Sequence, residues 1–375
     1  MNKNPFYTRE LPLNASFCNR VKELDELTRH AQNKMNVVLF SPRRYGKTSL
    51  IKRVMDKISK KGVVTIYADL FGVTSREDIA NRIAKAMYEN TSKKRKLFDK
   101  LLKWLFSWRP VVKLDDKPGA KFTLDRVEGV KDEHLIDEVL EAIDKMSSVA
   151  EGGCCVVLDE FQEIARIKNS LAIEGLMRSH IQQHNKTAYV FVGSRRTMLK
   201  DMFNEKKRPF YRSAANYELK PLPDLELSGY IMEAFKHAGK TCPVTEAEKI
   251  VKLVQGYAYY AQKIGYCVFE RTDKIVKPET FEAGITDFFE DEKPYYEKML
   301  SLLSTQQTKL ISALAKEPTQ TPYGNEYIAK HKLGSLSAIQ GGIRKLISID
   351  YIDKQAGYYE LVDPLFKMWL IDTQN

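Results

Sequence analysis

The segment Val37–Ile51, VVLFSPRRYGKTSLI, constrains this chain more than any other. An apolar run ends in the turn Ser41-Pro42-Arg43-Arg44-Tyr45-Gly46-Lys47-Thr48, and a helical pattern follows from Lys47. The turn matches the phosphate-loop pattern G-x-x-x-x-G-K-[ST] at every fixed position but the first, where Ser41 replaces glycine. The chemistry explains the spacing. Successive backbone N–H groups wrap a phosphate at a helix N-terminus, whose dipole favours anions. Gly46 lets the backbone approach and take torsions closed to other residues. Lys47 is expected to reach the β- and γ-phosphates, and the Thr48 hydroxyl to ligate Mg²⁺. The whole stretch Ser41, Pro42, Arg43, Arg44, Tyr45, Gly46, Lys47, Thr48 and Ser49 is the expected contact surface for ATP with Mg²⁺. Ser41 is awkward there only if that position needs a positive φ.

A second apolar run, Cys154-Cys155-Val156-Val157-Leu158, ends in Asp159-Glu160. Asp159 is expected to hold Mg²⁺, directly or through water, and Glu160 to polarise the attacking water. A kinase for small molecules does not need the second carboxylate, so the pair points to hydrolysis. A strand before a solvated acidic turn is the alternative; the upstream phosphate loop weighs against it. Tyr189–Val192 is a further run, followed by Gly193-Ser194. Ligand-contacting residues sit at such C-terminal strand ends in open α/β sheets. Ser194 is therefore a candidate to sense the γ-phosphate or hold the water. Arg195 and Arg196 follow, as site residues or as solvated charges.

Short β-branched runs at 35–40, 63–67, 154–158 and 189–192, with helical stretches between, imply a parallel sheet covered on both faces. The expected division is an α/β domain over 1–222, a helical domain over 223–299 and a third domain over 300–375. Ser92–Pro110 stands apart as a basic amphipathic segment, with Leu97, Phe98, Leu101, Leu102, Leu105 and Phe106 at helical spacing. It packs on its own domain or lies on a membrane or partner. Residues 114–122 are expected to form a loop.

Lys and Arg number 60 against 49 Asp and Glu, a formal +11, which fits an anionic partner such as nucleic acid. No apolar run approaches the ~20 residues that span a bilayer, and the N-terminus lacks a secretory signal's apolar stretch. Five cysteines show no metal or disulfide spacing. Cys154 and Cys155 are expected as buried small hydrophobes. A cytoplasmic location is the expectation.

FxxRxxEL (Phe17, Arg20, Glu23, Leu24), PRRYGKTSL, VVLDEFQE, FVGS, PFYRSA (Pro209–Ala214), GYAYY (Gly256–Tyr260) and DPLFKMWL (Asp363–Leu370) follow in order. Together they resemble the archaeal-type ATPase family, among the AAA+-related signal-transduction ATPases with numerous domains. The resemblance implies a P-loop parallel-sheet domain, a helical lid and a C-terminal winged helix. It also implies a place near the adenine for Arg20 and an approach to the phosphates from the lid side for Arg212. Ala258 stands where the family has the proline of a G-x-P turn. Cys18-Asn19 stands where a glycine commonly precedes the arginine.

The tail reads as helices at Thr305–Ala315, Glu326–His331 and Ser335–Ile347. A hairpin of Tyr351–Asp353 and Tyr358–Leu361 follows, with Lys354–Gly357 in its turn. On the third helix Leu336, Ile339, Ile343 and Leu346 form the expected buried stripe. Ser337, Gln340, Gly341, Arg344 and Lys345 face outward. DNA contacts, if made, are expected from Arg344, Lys345 and Lys354; a protein-contact role is the alternative. The expected function is an ATP-hydrolysing switch. Its rivals are a DNA-remodelling ATPase that grips DNA through the winged helix, and a non-hydrolysing nucleotide-gated scaffold.

Overall fold

Four of the five strands of the central sheet are the apolar runs visible in the sequence. The computed structural model describes residues 3–91, 95–114, 120–127 and 134–373. They fold as two units: Arg20–Ser41 with Lys47–Leu219, and the residues up to Asn19 with Pro42–Gly46 and Lys220 onward.

The first unit runs α1 (Val21–Gln32), β1 (Val37–Phe40), α2 (Lys47–Ser59), β2 (Val64–Asp69), α3 (Arg76–Thr91), α4 (Arg95–Trp104), β3 (Trp108–Leu114), β4 (Ala120–Arg126), α5 (Leu135–Val149), β5 (Cys154–Asp159), α6 (Ser170–Ile181), β6 (Thr187–Gly193), α7 (Arg196–Asn204) and β7 (Ala215–Glu218). Five strands form one sheet in the order β2-β5-β6-β1-β7, and every pairing is parallel. β1, β5 and β6 are buried along their whole length. That is why they read as unbroken apolar runs, since helices cover both faces of such a sheet. β7 escaped the sequence reading because Ala-Asn-Tyr-Glu carries no apolar run and lies at the sheet's edge, only partly buried.

The basic segment packs on its own unit. Leu101, Leu105 and Trp108 are buried in the core cluster, with Leu97, Leu102 and Trp104 against it. The indole of Trp108 donates to Asn81 Oδ1 at 2.7 Å. Phe106, expected on the buried stripe, is 71% exposed. Ser92–Lys94 and the Phe98 side chain lie outside the described residues. The loop expected at 114–122 is corrected: β3 extends to Leu114 and β4 begins at Ala120, paired antiparallel. Residues 115–119 lie outside the described residues. The alternating pattern of Ala120–Arg126 was hidden by the acidic and Pro-Gly residues before it.

The second unit runs α8 (Asp224–His237), α9 (Val244–Val254), α10 (Ala258–Arg271), α11 (Pro278–Ser301), α12 (Thr305–Lys316), α13 (Asn325–His331), α14 (Leu336–Ser348), β8 (Ile352–Gln355), β9 (Tyr358–Leu361) and α15 (Pro364–Asp372). From α12 onward it is a winged helix around a core that includes Leu310, Leu314, Ile339, Ile343, Phe366 and Trp369. Ser304 caps α12 and exchanges bonds with Gln307 as a capping box. Thr319 bridges Tyr359 and adds a short third edge to the hairpin. The hairpin's turn is Ala356-Gly357, both at positive φ (48° and 89°), as a two-residue turn of this hand requires. Lys354 thus belongs to β8 and not to the turn.

One expectation for α14 is corrected. Leu336 is 48% exposed, because it opens the helix beyond the face that meets α12. Gly342 lies on the buried side: a Cβ there would meet Leu310 Cδ2 at 2.9 Å, so glycine permits the close approach of α12. Gly341 faces open space. Ile339, Ile343 and Leu346 are buried, and Ser337, Gln340, Arg344 and Lys345 are exposed, as the pattern indicated.

Candidate functional site

The α/β unit brings Lys47 and Thr48 at the start of α2 together with Asp159, Glu160 and Ser194 at the C-terminal ends of β5 and β6. Lys47 opens α2, buried to 7% exposure, and its ammonium donates to the Ser41 carbonyl at 2.9 Å and to Ser41 Oγ at 3.3 Å. One residue on, the Thr48 hydroxyl donates to Asp159 Oδ2 at 3.4 Å. Ser49 follows, half-buried in the same turn of helix. No acidic residue occupies the first turn of α2.

Asp159 is buried at the end of β5. Burial raises its carboxyl above the usual range, a hydrogen bond from Tyr67 and the charge of Lys47 pull it down, and Glu160 pushes it up. The Tyr67 phenol donates to Asp159 Oδ2, and burial beside Asp159 raises the phenol far above its ordinary value. Tyr67 was missed in the sequence. It lies on β2, and only the parallel register that sets Asp69 beside Asp159 brings it there.

Glu160 holds a left-handed backbone, φ 50°, ψ 40°. That conformation is uncommon for a side-chain-bearing residue and persists where surroundings over-determine it. Here Ser194 Oγ donates to its Oε2 at 3.0 Å, and the Gln162 amide donates to the same oxygen. Phe161 between them is fully buried, its ring 4.6 Å from Phe191 and 5.3 Å from Phe210. Gln162 was also missed, though the DEFQ motif contained it. Its amide leaves room for no side chain at the end of β6: a Cβ on Gly193 would sit 1.9 Å from Gln162 Oε1.

The other expected residues make contacts of their own. Arg195 is not a solvated charge; it pairs with Glu163 at 3.7 Å and is 14% exposed. Arg196 opens α7, half-buried. Arg20 is buried and pairs with Glu23 at 2.7 Å. Asn19 and Arg20 both have positive φ, 50° and 68°, which fits an asparagine where glycine is common. Arg212 is exposed, its guanidinium 5.3 Å from its own neighbour Tyr211's ring. Among the described residues no bond joins it to Lys47, Asp159, Glu160 or Ser194. Arg208, in contrast, is no surface charge: it pairs with Glu174, which is fully buried.

The tip of the phosphate loop, Pro42–Gly46, packs in the second unit. Ser41 is absent from the residues with positive φ; Arg44 (71°) and Gly46 (88°) take those torsions. Arg43 is exposed, while Pro42 and Tyr45 are buried. The Tyr45 ring meets Tyr257 edge-on at 4.5 Å, and a Cβ on Gly46 would lie 3.6 Å from Ala258 Cβ.

Among the described residues no helix is long and apolar enough to cross a membrane, and all five cysteines are buried outside any disulfide.

A family model described as "ATPase domain predominantly from Archaea" matches residues 17–264, and one described as "probable winged helix domain" matches 294–372. None of the curated proteins matches this chain in sequence. Solved structures share its fold. The Walker-type ATPase PABY2304 of Pyrococcus abyssi is 16% identical with a TM-score of 0.72, over 98% of this chain and 99% of its own. The ORC2 protein of Aeropyrum pernix in its ADPNP-ADP complexes is 16% identical with a TM-score of 0.62, over 98% and 97%. The ORC1 protein of Aeropyrum pernix in complex with DNA is 14% identical with a TM-score of 0.51, over 98% and 94%. The phosphate-loop α/β domain, the C-terminal winged helix and the match over most of the sequence agree: this chain belongs to the family of ATPase domains found predominantly in Archaea.

Proposed function

We propose that the chain binds ATP with Mg²⁺ at Ser41–Ser49 and hydrolyses it as a nucleotide-driven switch. The functional parts are the α/β domain (1–222), a helical lid (223–299) and the winged helix (300–375). The observation that carries this reading is the hold on Glu160: one carboxylate oxygen receives both Ser194 Oγ and the Gln162 amide, at the strand end beside Asp159. Glu160 thereby has a fixed orientation, as a group that orients water and accepts its proton needs. Lys47 exchanges its bonds to Ser41 for bonds to phosphate oxygens. Thr48 and Asp159 suit Mg²⁺, because two adjacent oxygen donors 3.4 Å apart complement the phosphate oxygens and waters this ion prefers. When bound, the ion supplies charge neutralisation on the β- and γ-phosphates. Tyr67 keeps the buried Asp159 satisfied and fixes which oxygen faces Thr48. Ser194 acts through Glu160. Arg20 and Arg212 enter as proposed contacts to the adenine and to the phosphates.

Glu160→Gln is expected to keep ATP affinity and lose turnover by about 10²-fold or more. Calorimetry and phosphate release check this; turnover near wild type would move the proton-accepting role away from Glu160.

A second reading has its own support. The Aeropyrum pernix ORC1 protein was solved with DNA, and α14 here exposes Arg344 and Lys345. On this reading those side chains, with Lys354, grip duplex phosphates.

A further inference from the structure

Arg44 lies in the middle of the phosphate loop, yet its guanidinium is committed to the protein. It pairs with Asp363 at 2.9 Å and with Glu292 at 3.2 Å. It donates to the Tyr260 hydroxyl, which donates in turn to Asp363. Its charged carbon sits 4.7 Å from the Tyr260 ring centre, 4.8 Å from Tyr295 and 5.2 Å from Tyr259. Its carbonyl accepts the Tyr259 N–H at 3.0 Å. The adjoining cavity is only about 50 Å³, room for a water or two and not for a nucleotide. All these partners belong to the same unit as Pro42–Gly46.

We infer that Arg44 is a positioning residue of the phosphate loop, its guanidinium anchored by a cage of two carboxylates and three tyrosines. A residue with a side chain at φ 71° is held there by its surroundings. The surroundings here are α10, α11 and the N-cap of α15, so the loop's shape is set by residues more than two hundred positions downstream. Gly46 is followed directly by Lys47, so a loop held in one shape presents its N–H groups and that lysine already arranged, and a loosened loop does not. The GYAYY and DPLF motifs thus acquire one shared task. Tyr259 and Tyr260 offer faces that attract a guanidinium. Asp363 caps α15 through the N–H groups of Leu365 and Phe366 and turns its other oxygen to Arg44. Glu292 is further held by Lys263 at 2.6 Å.

The inference rests on the nucleotide-binding reading, and its test separates the two. Three variants of the full chain serve: Arg44→Gly, which accepts φ 71° without strain but has no guanidinium, Arg44→Lys, and Asp363→Asn. The first readout is hydrogen exchange at residues 42–46 without nucleotide, with exchange faster in Arg44→Gly and Asp363→Asn and partly restored in Arg44→Lys. The second is ADP and ATP affinity. A competent fraction of about one tenth weakens apparent affinity about tenfold, with kcat at saturating ATP within about twofold for Asp363→Asn, since chemistry at Glu160 is untouched. Arg44→Gly and Asp363→Asn combined are expected to weaken binding no more than either alone. Unchanged exchange and affinity in both single variants, with wild type binding ATP, would overturn the anchor and leave the ATPase reading standing. Wild type that fails to bind ATP, with exchange altered as expected, would sink the ATPase reading and leave the anchor of the loop.

Discussion

The C-terminal ends of β5 and β6 and the outer face of α14 are both polar, and they are built on opposite principles. At the strand ends Asp159, Gln162 and Ser194 are at most 6% exposed, and each bonds to a neighbour in the group. On α14 Ser337, Gln340, Arg344 and Lys345 stand in solvent. Buried polar groups are costly to leave unpaired, so each of these bonds restricts the next residue, and only Gln162 Oε1 in the group accepts none among the described residues. Exposed charges restrict nothing, because water satisfies them. The first region is a device with fixed parts, whereas the second is a surface whose use depends on what meets it.

Glycine substitutions test this contrast most sharply. Gly193→Ala would place a Cβ 1.9 Å from Gln162 Oε1, displacing the amide that holds Glu160. It is expected to cost about 1–3 kcal/mol, as overpacking does, and about 10²-fold in turnover, as loss of a positioned base does. Gly341→Ala on α14 meets nothing within 4 Å and is expected to raise stability by about 0.5–1 kcal/mol. Urea unfolding and phosphate release on both variants decide; equal effects would erase the distinction between the two regions.

A smaller effect concerns the charge state of Asp363. Burial pushes its carboxyl up to about 6, with Arg44 and the N–H groups of Phe366 and Leu365 opposing and Glu292 assisting. Tyr260 also bonds to it, and Tyr296 lies beyond Tyr260. The unfolded chain holds such a carboxyl near ~3.9. Between the two values the folded state binds the proton and the unfolded state does not. Its contribution to stability is therefore fully present below about 4 and is lost as pH rises through about 6. Relative to Asp363→Asn, wild type is expected to gain on the order of 2 kcal/mol from pH 7 to pH 4. Parallel pH dependence of the two would show that Asp363 titrates normally.

The smallest effect belongs to the exposed face. Replacing Arg344, Lys345 and Lys354 by alanine is expected to leave ATP turnover unchanged. Any duplex binding should weaken for all sequences alike, with the slope against log salt falling by about 2–3 for three lost phosphate contacts. A sequence-specific footprint abolished by the triple variant would promote α14 from a passive surface to a reading helix and favour the DNA-remodelling function.

The sequence by itself determined the phosphate loop, the acidic pair after β5, the parallel sheet and the winged helix. Each depends on a local pattern: an apolar run buried on both faces, a glycine before a helix, a capped amphipathic stripe. The tertiary structure alone decided the rest. Tyr67 reaches Asp159 through strand register, which no local pattern encodes. Gln162 and Ser194 converge on Glu160 because β5 and β6 are neighbours. β7 has no apolar run since an edge strand is not buried on both faces. Arg44 reads in the sequence as a contact for ATP, but its guanidinium is matched to Glu292 and Asp363, and Arg208 is matched to buried Glu174. A charge is the same letter in water and in a cage of tyrosines, and only the packing around it determines whether it is solvated or holds a loop in place.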